Sequence, residues 1–121
     1  MKAKKVIINF KDVRTALDDF VDTAEALSRG ESVKQEKGIY FTSIEAFRKA
    51  ITPRRLELLN IIRNSKPESI HQLASLAHRN IKNVAGDVKL LSQIGLVETR
   101  ESRNRIAPEV DYDEIDLRIA L

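Results

Sequence analysis

The 121-residue sequence contains no cysteine and no tryptophan, only two histidines and one methionine, and 5% aromatic residues. Without cysteine there is neither a disulfide framework nor thiolate chemistry, a composition suited to a reducing cytoplasm. The two histidines, His71 and His78, stand seven apart. On a helix that is about 10 Å along the axis, too far to share a metal without further ligands. The sequence has no glycine-rich phosphate loop, no H-E-x-x-H and no nucleophile elbow, so an enzyme is not expected, and neither a cofactor nor a metal is. So few rings, most of them on apolar stripes, leave little to stack unpaired bases. No apolar run approaches the roughly 18 residues that span a bilayer. The basic start Met1–Lys5 is followed only by Val6-Ile7-Ile8, too short for the apolar region of a signal peptide. The expectation is a cytoplasmic protein that does not enter a membrane.

What is there is one domain's worth of core: 42% hydrophobic residues in 121. The net charge of +3 is unevenly spread. Residues 1–51 carry ten basic and eight acidic side chains, residues 52–106 ten and five, and residues 107–121 one and five. The positive excess therefore sits in the middle segment, where attraction to phosphate would be useful. An ordinary solvated surface could carry the same charge, so the excess gains meaning only beside a motif.

In chain order, Lys5–Phe10 is β-branched and aromatic and predicts a strand. Asp12 precedes a long amphipathic helix with Val13, Ala16, Leu17, Phe20, Val21, Ala24 and Leu27 on one stripe and Gly30 past its end. Residues 31–37 form a charged connector, residues 38–42 predict a second strand able to pair with the first, and Ser43 caps a short helix carrying Ile44, Phe47 and Ile51. The apolar stripe must be covered, by the chain's own core or by a second copy of the chain. Thr52-Pro53 opens the next helix with a cap and an N1 proline, and its buried stripe is expected at Leu56, Leu59 and Ile62, with Leu58 and Ile61 between. Arg54 and Arg55 lie at its exposed start.

Ser69 and Gln72 have capping-box spacing, and Ile70, Leu73, Ala74 and Ala77 share one helical face. The run Ala77–Asn80 is polar enough to turn, with Asn80 a favoured N-cap. Ile81, Val84, Ala85, Val88 and Leu91, with Leu90 beside them, are then expected inward, and Gly95 stands where a left-handed residue ends the helix. The opposite face carries Lys82, Asn83, Gly86, Asp87 and Lys89. This is the pattern of a helix-turn-helix whose second helix enters a DNA groove. Beyond Gly95, Leu96–Arg100 alternates as a strand, Glu101–Asn104 is a polar tip, and Arg105–Ala107 returns, with Pro108 ending the strand. The tail from Val110 alternates at Ile115, Leu117, Ile119 and Leu121, which predicts one more strand within the chain or across a dimer; its acids argue against DNA contact.

The residues Leu73-Ala74-x-x-Ala77, Asn80-x-x-x-Val84 and Asp87-Val88-x-x-Leu91-x-x-x-Gly95-Leu96-Val97 resemble the core of winged helix-turn-helix regulators of the MarR/ArsR-like type. They look most similar to a small group of archaeal and bacterial DNA-binding proteins, over roughly Thr52–Ile106. The expected fold class is α+β: a winged helix-turn-helix over residues 52–108, preceded by a strand-helix-strand-helix extension over 1–51 that is a candidate dimerisation element, and followed by a C-terminal strand over 109–121.

The expected function is binding of double-stranded DNA by a homodimer that regulates transcription, as a repressor. The helix Asn80–Ile94 would read the major groove and the wing Leu96–Ala107 would touch backbone or minor groove. The candidate DNA contacts are Arg79, Asn80, Lys82, Asn83, Gly86 and Lys89, with Arg100, Arg103, Asn104 and Arg105 in the wing. Gly86 invites a reason, either close approach to DNA or close helix packing, because glycine costs a helix roughly 1 kcal/mol against alanine. Asp87 is expected to pair within the domain. The alternative is a winged helix serving as a protein-interaction module or as an antitoxin-type partner of another protein.

Overall fold

Strand β1 (Lys5–Phe10) is the middle strand of a three-stranded sheet. The computed structural model describes residues 4–32, 38–119 and 121; the basic start 1–3, connector residues 33–37 and residue 120 lie outside the described residues. From β1 the chain enters α1 (Val13–Ser28) and returns as β2 (Gly38–Phe41), parallel to β1, with Phe10 beside Phe41. On the other edge lies β5 (Glu114–Arg118), also parallel to β1, with Lys5 beside Glu114. Between β2 and β5 come α2 (Ile44–Ala50), α3 (Pro53–Ser65), α4 (Ile70–Ala77), α5 (Ile81–Ile94) and the antiparallel hairpin of β3 (Glu98–Ser102) and β4 (Arg105–Glu109). This is an α+β fold in which a helix-turn-helix with its wing is held between the strands of a parallel sheet.

Alternation along the strands places Val6, Ile8, Phe10, Ile39, Phe41 and Ile115 on one face of the sheet. These side chains join a single hydrophobic cluster with Ile51, Leu58, Leu59, Ile62, Leu73, Ala74, Val84, Val88, Leu91, Leu96, Val97 and Tyr112. The extension, the winged segment and the C-terminal strand therefore share one core. Phe47 meets Phe10 and Phe41 edge to face at ring separations of 5.8 and 5.5 Å, which seats α2 against the sheet.

Each helix begins at a short polar side chain that accepts a hydrogen bond from an otherwise unpaired amide. Asp12, Ser43, Thr52, Ser69 and Asn80 accept from the amides of Thr15, Ala46, Arg55, Gln72 and Lys82. The Gln72 side chain reaches back to the Glu68 amide at 2.7 Å, one residue beyond the reciprocal bond that a capping box makes. Gly95, at φ 99°, closes α5, and the Leu96 amide donates to the Leu91 carbonyl at 2.9 Å.

Two details differ from the sequence expectations, and a third narrows what they left open. In α3 the buried residues are Leu58, Leu59 and Ile62, while Leu56 is 45% exposed, because the arc that meets α4 and β4 does not extend to it. Pro108 does not end a strand but sits inside β4 opposite Thr99, a place where the ladder requires no amide donor from it. In α1 no residue is buried, and Val13, Leu17, Phe20, Val21 and Leu27 are each at least half exposed. That helix is tethered instead by an ion pair between Lys11 and Asp19, which raises the Lys11 pKa, and by the Lys11 ammonium lying 4.4 Å from the Tyr40 ring centroid.

The start of β5 is fastened by polar contacts. Asp113 accepts from the Arg63 guanidinium and from the Lys4 amide, and these bonds, Arg63's first, hold its carboxyl below the ordinary aspartate value. Next to it, the Tyr112 hydroxyl donates to the Leu96 carbonyl at 2.7 Å, and burial raises its pKa.

Candidate nucleic-acid interface

The helix-turn-helix consists of α4, a short turn and α5. The turn is set by His78 in the left-handed conformation at φ 55°, which lets the Arg79 amide donate to the Ala74 carbonyl at 3.0 Å. Val84, Val88 and Leu91 fix α5 against the core. The face turned to solvent then carries Lys82, Gly86 and Lys89, with Asn80 at the cap and Asn83 at one edge, all exposed.

Two neighbours on this face were not foreseen. Ala85, expected inward together with Ile81, is exposed, and Ile81 is 45% exposed, because the buried arc of α5 consists of Val84, Val88 and Leu91 alone. Gln93 is exposed on the same side, one turn beyond Lys89; a lone glutamine near a helix end gives no sequence signal. The structure removes one of the two explanations of Gly86. A β-carbon there would meet nothing within 4 Å, so close helix packing is not its reason.

The acid of α5 faces the other way. Asp87 Oδ1 accepts from Arg55 Nε at 3.0 Å and Oδ2 from Arg79 Nη2 at 2.9 Å, and all three side chains are at least four-fifths buried. Arg55 also donates to the Lys49 and Ala50 carbonyls at the end of α2. Arg79, expected on phosphate or a first base, is thus corrected: its guanidinium is turned inward, where it braces the turn against α5. The same holds for Arg55, whereas Arg54 remains at the surface. Arg54, Glu57, His78, Asn80 and Asn83 line a shallow niche of about 390 Å³ beside the turn.

In the wing, β3 is exposed along its whole length. Arg103 and Asn104 both have positive φ, 51° and 64°, and make a two-residue hairpin turn, tighter than the four-residue tip expected. Arg100 pairs with Glu109 across the hairpin at 3.3 Å. Among the described residues Arg103 and Arg105 have no ion pair. Arg100, Arg103 and Arg105 border an open cleft of about 860 Å³ whose far wall holds Arg63 and Lys66 from the end of α3. Lys66 was not among the sequence candidates; only the three-dimensional fold brings it opposite the wing.

Residues 50–117 of the chain match the HVO_A0114 family. The chain belongs to the HVO_A0114 family. In this member the matched span runs from the end of α2 through α3, α4, α5 and the wing into β5, leaving β1, α1 and β2 outside it. No curated protein matches the HVO_A0114 chain. Among solved structures it is similar to the homodimeric winged helix-turn-helix DNA-binding domain of Mb0332 from Mycobacterium bovis, a possible ArsR-family transcriptional regulator. That pair shares 20% identity at TM-score 0.49, over 84% of this chain and 72% of that one. Reduced HlyU from Vibrio cholerae is 16% identical at TM-score 0.47, over 79% and 80% of the two chains. The multiple antibiotic-resistance repressor MarR from Listeria monocytogenes is 17% identical at TM-score 0.44, over 83% and 65%. Among the described residues no helix is long and apolar enough to cross a membrane, and no group of three acidic or histidine side chains is placed to hold a metal.

Proposed function

We propose that this HVO_A0114 member is a cytoplasmic regulator of transcription that binds double-stranded DNA in a sequence-specific way as a homodimer and represses by occluding a promoter. In this reading α5 enters the major groove, with Asn83 placed for a bidentate bond to adenine and Lys82 for guanine or phosphate. Lys89 and Asn80 contact backbone, Gly86 admits the close approach of a strand, and Arg103, Asn104 and Arg105 of the wing, with Arg100 behind them, lie on backbone or in the minor groove. Arg54, in the niche at the turn, and Gln93, farther along the groove face, extend the set.

One observation carries the proposal. The single acid of α5 is withdrawn onto two arginines, so the helix presents lysines, amides and a glycine to solvent with no negative charge among them. A surface serving only to be solvated has no need of that separation.

The test is fluorescence anisotropy with a labelled duplex from upstream of the protein's own gene and a scrambled duplex, at about 50 and 200 mM salt, the range in which phosphate contacts show. The expected result is tight binding to the first and weaker, steeply salt-dependent binding to the second. Absence of binding to either at low salt would overturn the proposal and leave the second reading, a winged helix that docks on another protein, which the open apolar stripe of α1 favours.

A further inference from the structure

β5 is an edge strand, paired with β1 on one side and, among the described residues, open on the other. The Glu114 amide donates to the Lys4 carbonyl at 3.3 Å. In a parallel ladder this turns the amides and carbonyls of the even-numbered residues toward β1 and those of Ile115, Leu117 and Ile119 toward the open side. The devices that blunt an edge, a proline or a charge on the buried face, are missing here: the inner-face positions are Ile115, Leu117 and Ile119. Leu117 is 42% and Ile119 50% exposed. Between this edge and α3 runs a groove of about 380 Å³ whose apolar side chains are Leu56, Leu59, Val110, Tyr112 and Ile115.

We propose that the open edge of β5 pairs antiparallel with β5 of a second copy of this chain, about a two-fold axis through Leu117, joining two three-stranded sheets into one. The inference rests on the two-fold assembly in the function proposed above and names a surface for it, and its test needs no DNA. The strand's own order selects a second copy as the occupant. Antiparallel pairing that keeps both inner faces on one side must be centred on a residue. Centred on Asp116 it sets two aspartates directly opposite, and centred on Arg118 two arginines, each a repulsive pair. Centred on Leu117 it sets Asp116 of each copy opposite Arg118 of the other on the outer face. On the inner face Leu117 then meets Leu117, and Ile115 meets Ile119. Those odd-numbered residues are the ones whose backbone groups point outward, so the free donors and acceptors of both edges match. Within one copy the same two charges approach only to 3.8 Å, both well exposed. Ile119 of the second copy, opposite Ile115, comes to lie beside the groove that leaves Leu56 open.

Because the sequence has no cysteine, a single introduced cysteine is unique. Asp116→Cys and Arg118→Cys, mixed and mildly oxidised, should link to each other, since non-hydrogen-bonded partners stand about 4.5 Å apart between α-carbons. Each alone should stay unlinked: like positions are offset by two residues and lie about 8 Å apart, beyond the roughly 7 Å a disulfide bridges. Linkage of either variant to itself, or none in the mixture, would overturn the pairing. An edge this short makes a small interface, so sedimentation equilibrium of the full chain is run at roughly 300 µM. Asp116→Arg, which places arginine opposite arginine, should weaken association about tenfold, and Asp116→Arg with Arg118→Asp should restore it. Both variants should keep the circular-dichroism spectrum of the unmodified chain, because the two side chains are at the surface. Failure of the charge swap to restore association would overturn the proposal. A chain that binds duplexes but never links through β5 would overturn this surface alone; a chain that links as described but binds no duplex would overturn the functional reading and leave the surface standing.

Discussion

Arg79 and Asp87 face each other, Nη2 to Oδ2 at 2.9 Å, and this contact ties the second turn of α5 to the turn that follows α4. Arg55 shares the same carboxylate, so two guanidinium groups converge on one acid, and Nη1 of Arg79 is buried without a partner. Removing the acid strands two cations; removing Arg79 strands nothing. Asp87→Ala should cost about 2–3 kcal/mol in urea unfolding, below the full range for buried pairs because the groups retain some solvent, and Arg79→Ala about 1 kcal/mol. Equal costs would mean that Arg55 contributes nothing to holding Asp87.

Gly86 offers a cleaner separation of folding from binding. With open space around its missing β-carbon, Gly86→Ala should stabilise the free protein by about 0.5–1 kcal/mol. If the glycine admits a DNA strand, the same change should weaken duplex binding in the anisotropy assay. A stabilised protein with unaltered affinity would remove Gly86 from the interface.

Asn83 and Arg103 are assigned different work. Asn83→Ala should lower affinity for the upstream duplex by about 1–3 kcal/mol and leave the scrambled duplex nearly unaffected. Arg103→Ala should weaken both and reduce the slope of log affinity against log salt by about one unit. Equal effects on both duplexes from both changes would abolish the distinction between reading and anchoring.

Tyr112 donates its hydroxyl to a buried carbonyl just past the end of α5, that of Leu96. Tyr112→Phe keeps the packing and deletes the bond, so it should cost about 1 kcal/mol by urea denaturation. A neutral substitution would show that water satisfies the Leu96 carbonyl in the variant as well as the hydroxyl does.

Asp113 gives the fold an acid sensitivity. Its carboxyl is held below the ordinary value by Arg63 and the Lys4 amide, so its contribution is present above pH about 4 and disappears as pH falls through the lowered folded-state value. Asp113→Asn should therefore be less stable than the unmodified protein at neutral pH, and the two should converge in acid. A gap in urea midpoints that stays constant from pH 7 to pH 2.5 would remove the carboxylate from the account.

The helix-turn-helix was legible because its signals are local. Ser69, Asn80 and Gly95 mark ends, and Leu73, Val84, Val88 and Leu91 keep a helical period between them. The inward turn of Arg79 was not legible, since an arginine in a polar turn looks the same whether it faces phosphate or a carboxylate eight residues away. The pairing of β1 with β5 was equally hidden: alternation from Ile115 onward announces a strand but not its neighbour. The stripe of α1 announced an apolar surface without saying whose. Asp87, grouped by period with the outward residues yet expected to pair, shows the limit of periodicity near the boundary of a buried arc.

The parallel pairing of β1 with β5 has a consequence for biosynthesis. β1 leaves the ribosome well before its partner on that edge, residues 114–118, is made. Throughout translation of the helices and the wing, the nascent chain holds a hydrophobic strand with one unsatisfied edge, the kind of template on which two polysomal neighbours can zip together. Local helix contacts can assemble the winged segment early, but the seam between β1 and β5 closes only after synthesis has passed Arg118. The interval between those two events is when this protein is most exposed to misassembly, and when a chaperone would have the most to shield.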